Sequence, residues 1–287
     1  MIEIVATGPL TTVQDEGRPG WAAVGVSRSG VADRASAALA NRLVGNDADA
    51  AVLEVTLGGL HLRVDVPTLV ALAGATCPAT VDGHGVAMAA PVHVPRGGVL
   101  RLGAPRTGLR TYVAVRGGIV VPPVLGSRAT DVLTGVGPPA LRAGDVVPVG
   151  TSTAAVPGVD QAPVREPERP AVLTLRPGPR ADWFAGDVLG ALASASYTVG
   201  TASNRTALRL QGPGLTRAHD RELPSEGLVP GAVQVPPDGR PVVFLRDHPV
   251  TGGYPVVAVV TAAGLDVAAQ LRPGDHVRFR LGRTIAP

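Results

Sequence analysis

The dominant pattern in this sequence is a succession of short apolar segments, rich in β-branched residues and each closed by glycine or proline. The chain holds 37 Gly and 28 Pro in 287 residues. β-branched residues favour strands, whereas Gly and Pro favour turns. The segments follow one another too closely for alternating βαβ units, so we predict closed or sandwiched antiparallel sheets. A first strand is predicted in MIEIVATGPL, followed by TLVALAGA, VHVP, VLRLGA, TYVAVRGG, VLTLRP, PVVFLRD, YPVVAVVT and HVRFRL.

Helix is predicted in only three places. The clearest helix covers 33–44, where Asp33 is a suitable N-cap, apolar residues recur every fourth position and Gly45 ends the pattern. A second helix is expected near 181–193, and a single turn after Asp266. The sequence therefore predicts a mainly β protein with few short helices.

A proline-rich, polar stretch divides the chain. Residues 151–170 read TSTAAVPGVDQAPVREPERP and have no apolar period, which is typical of a semi-rigid linker. The heptapeptide LRAGDVV at 141–147 returns as LRPGDHV at 271–277, each time as a turn before a last strand. We therefore predict an N-terminal β-barrel-like domain over 1–150 and a C-terminal one over 171–287.

The charged residues exclude several classes of function. All 26 basic residues are arginine and stand among 23 acidic ones, with a net charge of +3 and no basic block. This distribution gives little support for nucleic-acid binding. Because the sequence has no lysine, it excludes Schiff-base chemistry and a lysine-dependent phosphate loop.

Cysteine and hydropathy point to an intracellular protein. Cys77 is the single cysteine and sits in an apolar stretch, so we expect a buried structural thiol, no disulfide framework and a reducing compartment. The N-terminus lacks the pattern of a secretory signal. The longest apolar run is too short for a bilayer, which needs about 18 to 20 residues. We expect a cytoplasmic protein that is not bound to membranes.

Two polar groups stand out in the first half. The stretch TTVQDEGRPGW holds Gln14, Asp15 and Arg18, which could form a site or simply a polar turn. The stretch TYVAVRGGIVVPPVLGSRATD places an arginine before a glycine pair, which could let the backbone approach an anion while guanidinium contacts it. The residues concerned in that stretch are Arg116, Gly117, Gly118 and Arg128. Between these stretches, Glu54 lies in an apolar strand segment, either on a wet face or paired.

The second half holds the densest polar region. Ser203, Arg205 and Arg209 share one strand-like segment, where they are either anion contacts or solvated side chains. Residues 225–255 gather six polar side chains between glycines, prolines and one apolar strand, so several could converge at one end of a barrel. These are Glu226, Gln234, Asp247, His248, Thr251 and Tyr254. The histidines lack metal-binding spacing, so no metal site is predicted.

Six motifs together resemble a known family over nearly the whole chain. They are TTVQDEGRPGW, ANRLVGN with LEVTLGG, AVRGGIVVPPVLGSRAT, SNRTALRLQG, SEGLVPGAVQVPP and DHPVTGGYP, in this order. The sequence is similar to KipA-like proteins, the family of allophanate hydrolase subunit 2 and of the 5-oxoprolinase C subunit, also called the biotin-dependent carboxyltransferase family.

The resemblance implies a fold and a function. It implies two cyclophilin-like β-barrel domains, and a C subunit that works with a KipI-like B subunit and a LamB/YcsF-like A subunit in ATP-dependent opening of 5-oxoproline to glutamate. ATP, with Mg²⁺, would be shared with these partners. Two alternatives remain: transfer of a carboxyl group from carboxybiotin to urea or a related amide, with no biotin carried by this chain, and a non-enzymatic KipA-like regulator that binds a KipI-like partner.

The resemblance also singles out site residues for a small amide or lactam substrate. As catalytic candidates it implies Asp247, Glu226 and Gln234. As contacts for the substrate or an anion it implies Gln14, Asp15, Arg18, Arg116, Gly117, Gly118, Arg128, Ser203, Arg205, Thr251, Gly252, Gly253 and Tyr254.

Overall fold

The computed structural model describes residues 1–152, 154–164, 168–219 and 221–282. Residues 153 and 165–167 of the predicted linker, and 283–287 at the end of the predicted C-terminal domain, lie outside the described residues. The chain forms two compact units. The described parts of 1–19 and 29–165 make the first unit, and those of 20–28 and 166–287 make the second. No sequence pattern indicated that 20–28 would belong with the second unit.

The first unit contains eleven strands among its described residues, arranged in two sheets. In chain order they are β1 (Ile2–Thr7), β2 (Leu10–Gln14), β3 (Val52–Thr56), β4 (Leu60–Val64), β5 (Thr68–Gly74), β6 (Ala79–Val81), β7 (His84–Gly85), β8 (Pro91–Val94), β9 (Val99–Leu102), β10 (Arg110–Val115) and β11 (Val146–Val147). One sheet has the order β11-β1-β4-β9-β6-β7 and the other β2-β3-β10-β5-β8. All their pairings are antiparallel.

The two sheets of the first unit share one apolar core. Alternate residues point inward, as the period of a strand requires, and Ile4, Leu62, Leu53 and Val113 meet there with no exposed surface. The outer face of the second sheet is covered by helix α1 (Arg34–Leu43). Strand β10 is therefore buried along its whole length.

The second unit is built on a closed barrel. Its strands are β12 (Ala171–Pro177), β13 (Ser196–Val199), β14 (Ala207–Gln211), β15 (Glu226–Gly227), β16 (Ala232–Gln234), β17 (Val242–Phe244), β18 (Thr251–Gly252), β19 (Val256–Val260) and β20 (His276–Leu281). The barrel closes in the order β12-β19-β16-β17-β14-β13-β20, with β12 and β20 parallel. The strands β15 and β18 form a separate two-stranded ribbon. Helices α2 (Val188–Ser194) and α3 (Ala262–Ala268) pack on the barrel core.

These sheets confirm the mainly β prediction, and each of the nine predicted strand segments contains a strand. The first predicted helix is confirmed, because Asp33 caps α1 by accepting the N–H of Ser36 at 2.9 Å. The helix expected near 181–193 is instead a 3₁₀ turn at Ala181–Trp183 followed by α2, which has its own N-cap in Asp187. The turn expected after Asp266 was placed too late, since α3 already contains that residue.

The repeated heptapeptide forms the same turn twice. In the first copy the N–H of Arg142 donates to Asp145 at 2.7 Å, and in the second the N–H of Arg272 donates to Asp275 at 2.8 Å. Both turns place their glycine at positive φ, +94° and +91°, a conformation that favours glycine. Each turn leads into the last strand of its unit, β11 or β20, as predicted.

No α-helix within the described ranges is long and apolar enough to cross a membrane.

Cys77 is buried in the first core, as predicted. Burial raises the pKa of its thiol, which makes the thiolate less accessible.

Candidate functional site

The β15/β18 ribbon brings together much of the predicted polar region of the second unit. In its register, Glu226 lies opposite Gly252 and Gly227 opposite Thr251. The N–H of Leu228 extends the pairing by donating to Val250 O at 2.8 Å. The segment 225–255 thus folds back on itself, and the convergence of its polar side chains at one end of the barrel stays a prediction.

Asp247 forms a buried ion pair with Arg205. The Nε of Arg205 lies 2.8 Å from Oδ2 and its Nη2 lies 3.2 Å from Oδ1, so the contact is bidentate. Neither side chain is more than 2% exposed. Asp247 follows β17 and Arg205 precedes β14, and these two strands are paired. The pair therefore fixes the turn in which the chain leaves β17. A direct contact between Asp247 and a substrate would require this turn to open.

Gln234 supports the ribbon from inside. Its Nε2 donates to the carbonyl of Tyr254 at 2.8 Å, and its side chain is almost fully buried. A Cβ added to Gly252 would lie 2.7 Å from the same nitrogen, so the Gln234 amide would have to shift to accommodate it. At Gly253 an added Cβ would make only an ordinary contact, 3.4 Å from the carbonyl oxygen of Leu223. Gly252 thus leaves room for the Gln234 amide, whereas Thr251 and Tyr254 remain exposed.

Glu226 is paired with Arg180, which sequence reasoning did not select. The Nε of Arg180 lies 3.1 Å from Oε2, and its Nη2 contacts Oε1, so this pair is also bidentate. Hydrogen bonding by Arg180, aided by its charge, lowers the pKa of Glu226 below its ordinary value. About a third of each side chain is exposed. Glu226 is therefore a charged, accessible carboxylate at the edge of the ribbon.

In the first unit, the predicted residues 14–18 hold a neighbouring loop. Asp15 accepts the hydroxyl of Ser127 and the N–H of Arg128, both at 2.5 Å. Arg18 donates to the carbonyl of Ala129 and Gln14 to that of Thr130. The Gln14 and Arg18 side chains are almost completely buried. The loop is thus fixed by charge-assisted bonds, and substrate contacts for these residues stay a prediction.

The RGG group is similarly engaged within the first unit. Arg116 donates to the carbonyl of Val44 at 2.8 Å and also contacts the carbonyl of Ala154. The N–H of Gly117 donates to the amide oxygen of Asn46 at 2.8 Å. An added Cβ at Gly117 would lie 2.0 Å from the carbonyl of Gly150, so its glycine serves a close approach of two backbone segments.

The remaining predicted contacts of the site also have partners. The Nε of Arg128 donates to the carbonyl of Val121 at 2.9 Å. The hydroxyl of Ser203 accepts the N–H of Arg209 at 3.0 Å. Gly118 turns the chain at a φ of +71°. Anion binding by Arg116, Gly117, Gly118 and Arg128 stays a prediction.

Sequence reasoning left Glu54 undecided, and the structure buries it. Its Oε1 lies 3.3 Å from Arg110 Nε, and its Oε2 accepts the hydroxyl of Tyr112 at 3.0 Å and the N–H of Ala32 at 2.9 Å. Burial raises the pKa of Tyr112 well above its ordinary value, and the charge of Glu54 raises it further. The only signal in the sequence was a carboxylate inside an apolar strand. Within the described ranges, no three His, Cys, Asp or Glu side chains form a group that could hold a metal ion.

Known proteins share both sequence and fold with this chain. The family model of the carboxyltransferase domain, subdomains A and B, matches residues 24–281. The chain belongs to this family. It is 39% identical to the C subunit of 5-oxoprolinase from Escherichia coli over 97% of this chain and 90% of that protein.

Longer members of the family contain this fold as one part. The urea amidolyase of Lachancea kluyveri is 32% identical over 96% of this chain, which spans only 17% of that protein. The crystal structure of the K. lactis urea amidolyase superimposes with a TM-score of 0.89 and 32% identity over 97% of this chain and 18% of that one. The family resemblance drawn from the six motifs is therefore confirmed.

Proposed function

We propose that this protein is the C subunit of an ATP-dependent 5-oxoprolinase-type complex that opens 5-oxoproline to glutamate. The observation that carries the proposal is the similarity to the C subunit of the E. coli 5-oxoprolinase, which extends over nearly the full length of both chains. The partners would be a KipI-like B subunit and a LamB/YcsF-like A subunit. The complex would act in the cytoplasm on a small lactam, and this chain alone would be inactive.

The exposed edge of the ribbon is where such a substrate would be held. Glu226 keeps its charge because Arg180 pairs with it, and it could accept a hydrogen bond from a lactam N–H. The side chains of Thr251 and Tyr254 are also exposed, and their hydroxyls could bond further polar atoms of the substrate. The buried side chains of Asp247 and Gln234 would fix the position of the ribbon that carries Glu226.

ATP enters this proposal as a ligand shared with the partner subunits. The sequence offers no lysine for a lysine-dependent phosphate loop, so arginines or backbone amides of this chain would contact the phosphates. ATP hydrolysis would supply the free energy for adding water across the lactam C–N bond. We therefore propose that MgATP is held with the partner subunits, and we assign no step of its chemistry to residues of this chain.

The proposal is tested by reconstituting the complex and measuring ATP consumption that depends on 5-oxoproline. Glu226→Gln keeps the shape of the side chain but removes the charge, and we expect at least a tenfold lower rate, about 1.4 kcal/mol in activation free energy. Glu222→Gln is the matched control, because Glu222 is exposed four residues away. The proposal fails if the assembled, folded subunits consume no ATP in response to 5-oxoproline.

Carboxyl transfer is the second candidate, because the matching family model is that of a carboxyltransferase domain and urea amidolyases share it. No residue of this sequence could carry biotin, since it contains no lysine. A separate biotin carrier would be required. Transfer of labelled carboxylate from such a carrier to urea, without 5-oxoproline-dependent ATP consumption, would favour this function.

A further inference from the structure

The outer wall of the barrel carries a cleft that none of the predicted catalytic residues lines. It has a volume of about 450 Å³, within the range of roughly 300 to 1,000 Å³ typical of small-molecule sites. The alternation of β14 creates one side of it. Leu208 and Leu210 point into the core, so Arg209 and Gln211 point outward into the cleft.

A second arginine reaches the same cleft from the connection before β17. Arg240 lies in the turn after β16, and this turn is held to β14 by the bond from Leu210 N to Pro241 O at 3.0 Å. Within the part of the chain that the structure describes, neither Arg209 nor Arg240 has a side-chain hydrogen bond or ion pair. Both guanidinium groups are exposed and available. This distinguishes them from Arg205, Arg116 and Arg128, whose donors bond within the fold.

The net charge of the cleft suits a monoanion. The one carboxylate that lines it belongs to Asp238, whose Oδ1 accepts the N–H of Arg240 at 3.1 Å. Two guanidinium groups and one carboxylate leave a net charge of about +1. A carboxylate with a single negative charge neutralises this net charge, whereas a doubly charged phosphate would leave the cleft with a net negative charge beside Asp238.

The cleft also has a surface for an uncharged, partly apolar body. The Tyr254 side chain lines it and is 45% exposed, and the backbone carbonyl of the same residue is the one bonded to Gln234. Thr201 and Gln211 add a hydroxyl and an amide that could bond a lactam or amide group. Tyr254 thus connects the cleft with the ribbon that holds Glu226 and Thr251.

We propose that this cleft binds the carboxylate of a small monoanionic amide or lactam, with Arg209 and Arg240 as its carboxylate contacts. The proposal rests on the proposed function and assigns the part of the chain that recognises the negative charge of the substrate. Arginine suits this task because its planar guanidinium can donate two parallel hydrogen bonds to a carboxylate.

The test measures binding to the full chain by isothermal titration with 5-oxoproline. We expect Arg209→Gln and Arg240→Gln each to weaken binding about tenfold, which corresponds to about 1.4 kcal/mol. Arg176→Gln is the matched control, since Arg176 is exposed on the same barrel away from the cleft, and it should leave affinity unchanged. The neutral lactam 2-pyrrolidone should not displace 5-oxoproline.

Four results would overturn the proposal. They are no binding of 5-oxoproline, equal affinities in parent and both cleft variants, displacement by 2-pyrrolidone at equal concentration, and tighter binding of inorganic phosphate at the same arginines. These outcomes are separable from those of the proposed function. If the complex consumes ATP in response to 5-oxoproline but its KM is unchanged in both cleft variants, carboxylate binding by the cleft is refuted and the proposed function is not. If the cleft binds the carboxylate but the complex shows no such ATP consumption, the proposed function is refuted and carboxylate binding by the cleft is not.

Discussion

Both units contain a buried ion pair between a carboxylate and an arginine, Glu54 with Arg110 and Asp247 with Arg205, but the two pairs lie at different places in their folds. Glu54 lies in the middle of β3 and opposite Tyr112 of β10, where it also accepts bonds from Ala32 N–H and the Tyr112 hydroxyl. Asp247 lies in the turn after β17, where Arg205 donates hydrogen bonds to both of its carboxylate oxygens. The first pair joins a sheet to the segment that enters α1, and the second fixes the end of a strand.

The two ion pairs are chemically alike, and they differ mainly in their position in the fold. A buried pair in mid-strand is surrounded by the packed layers of the unit and can only stabilise them. A buried pair at a strand end holds a turn whose continuation, the β15/β18 ribbon, presents exposed polar groups. We therefore expect changes at Glu54 to affect stability alone, and changes at Asp247 to affect stability and function.

The largest effect should come from removing the arginine of either pair. Arg110→Met and Arg205→Met each leave a buried carboxylate without its cation, and we expect a loss of roughly 3 to 5 kcal/mol in the free energy of unfolding. Denaturant titration followed by two probes measures this. Labelling of Cys77, the only cysteine, reports on the first unit, and fluorescence of the two tryptophans reports on the second. A loss below about 1 kcal/mol in either variant would contradict the burial of that pair.

An added methyl group should destabilise the protein at Gly252 of the ribbon but not at Gly227 on the facing strand. In Gly252→Ala the added Cβ would lie 2.7 Å from Gln234 Nε2 and 2.9 Å from Leu228 Cδ1, so the amide must move. We expect a cost of about 1 to 3 kcal/mol and a loss of activity in the complex. Gly227→Ala, on the facing strand, meets no atom within 4 Å and should have little effect. Equal stabilities of the two variants would show that Gln234 does not support the ribbon.

The hydroxyl of Tyr112 should contribute less than either ion pair. Tyr112→Phe keeps the ring but removes a donor to Glu54 and an acceptor for the N–H of Asp33. We expect a loss of about 1 to 3 kcal/mol, because buried partners remain unsatisfied, with no change in activity per folded molecule. Thermal unfolding measures this, with Tyr254→Phe as the exposed control. A Tyr112→Phe variant as stable as the parent would show that the Glu54 network does not join the sheet to α1.

The smallest effect is the pH dependence of the Glu226 and Arg180 pair. The pKa of Glu226 is lowered in the folded state, so the pair stabilises the fold fully above the ordinary value of 4.5 and less as the pH falls through the folded value. The measurement is the unfolding midpoint at pH values from 7 to 3. We expect the midpoint of Glu226→Gln to fall less with acid than that of the parent, and the midpoint of Glu222→Gln to fall as much as that of the parent. Identical profiles for the parent and Glu226→Gln would contradict the pairing.

The fold was predictable where local pattern decides structure. Apolar segments rich in β-branched residues located the strands, and Asp33 located the start of α1 because an N-cap acts within one turn. The repeated heptapeptide predicted two equal turns because its glycine and aspartate act within four residues. The helix expected near 181–193 begins later than predicted, at Val188, because Asp187 in the middle of the apparent pattern is its N-cap.

The polar residues of the ribbon could be selected from the sequence, but their arrangement could not, and their roles in a site stay a prediction. The density of polar groups in 225–255 pointed to the ribbon, and the family motifs pointed to Asp247 and Arg205. The partner of Glu226 escaped notice, because Arg180 is 46 residues distant and carries no motif. Of the two cleft arginines, Arg209 was already a candidate anion contact, whereas Arg240 escaped selection because no local pattern shows that its turn lines the same cleft.

The sequence by itself determined nine strand segments, the first helix, the paired turns, the absence of lysine chemistry and, through its motifs, the family. Each depends on residues close in the chain or on composition. The tertiary structure alone decided which arginine side chains already have hydrogen-bond partners within the protein. Arg205, Arg116 and Arg128 bond within the fold, whereas the side chains of Arg209 and Arg240 have no partner among the described residues. Partners for a guanidinium come from segments that only folding brings within hydrogen-bonding distance.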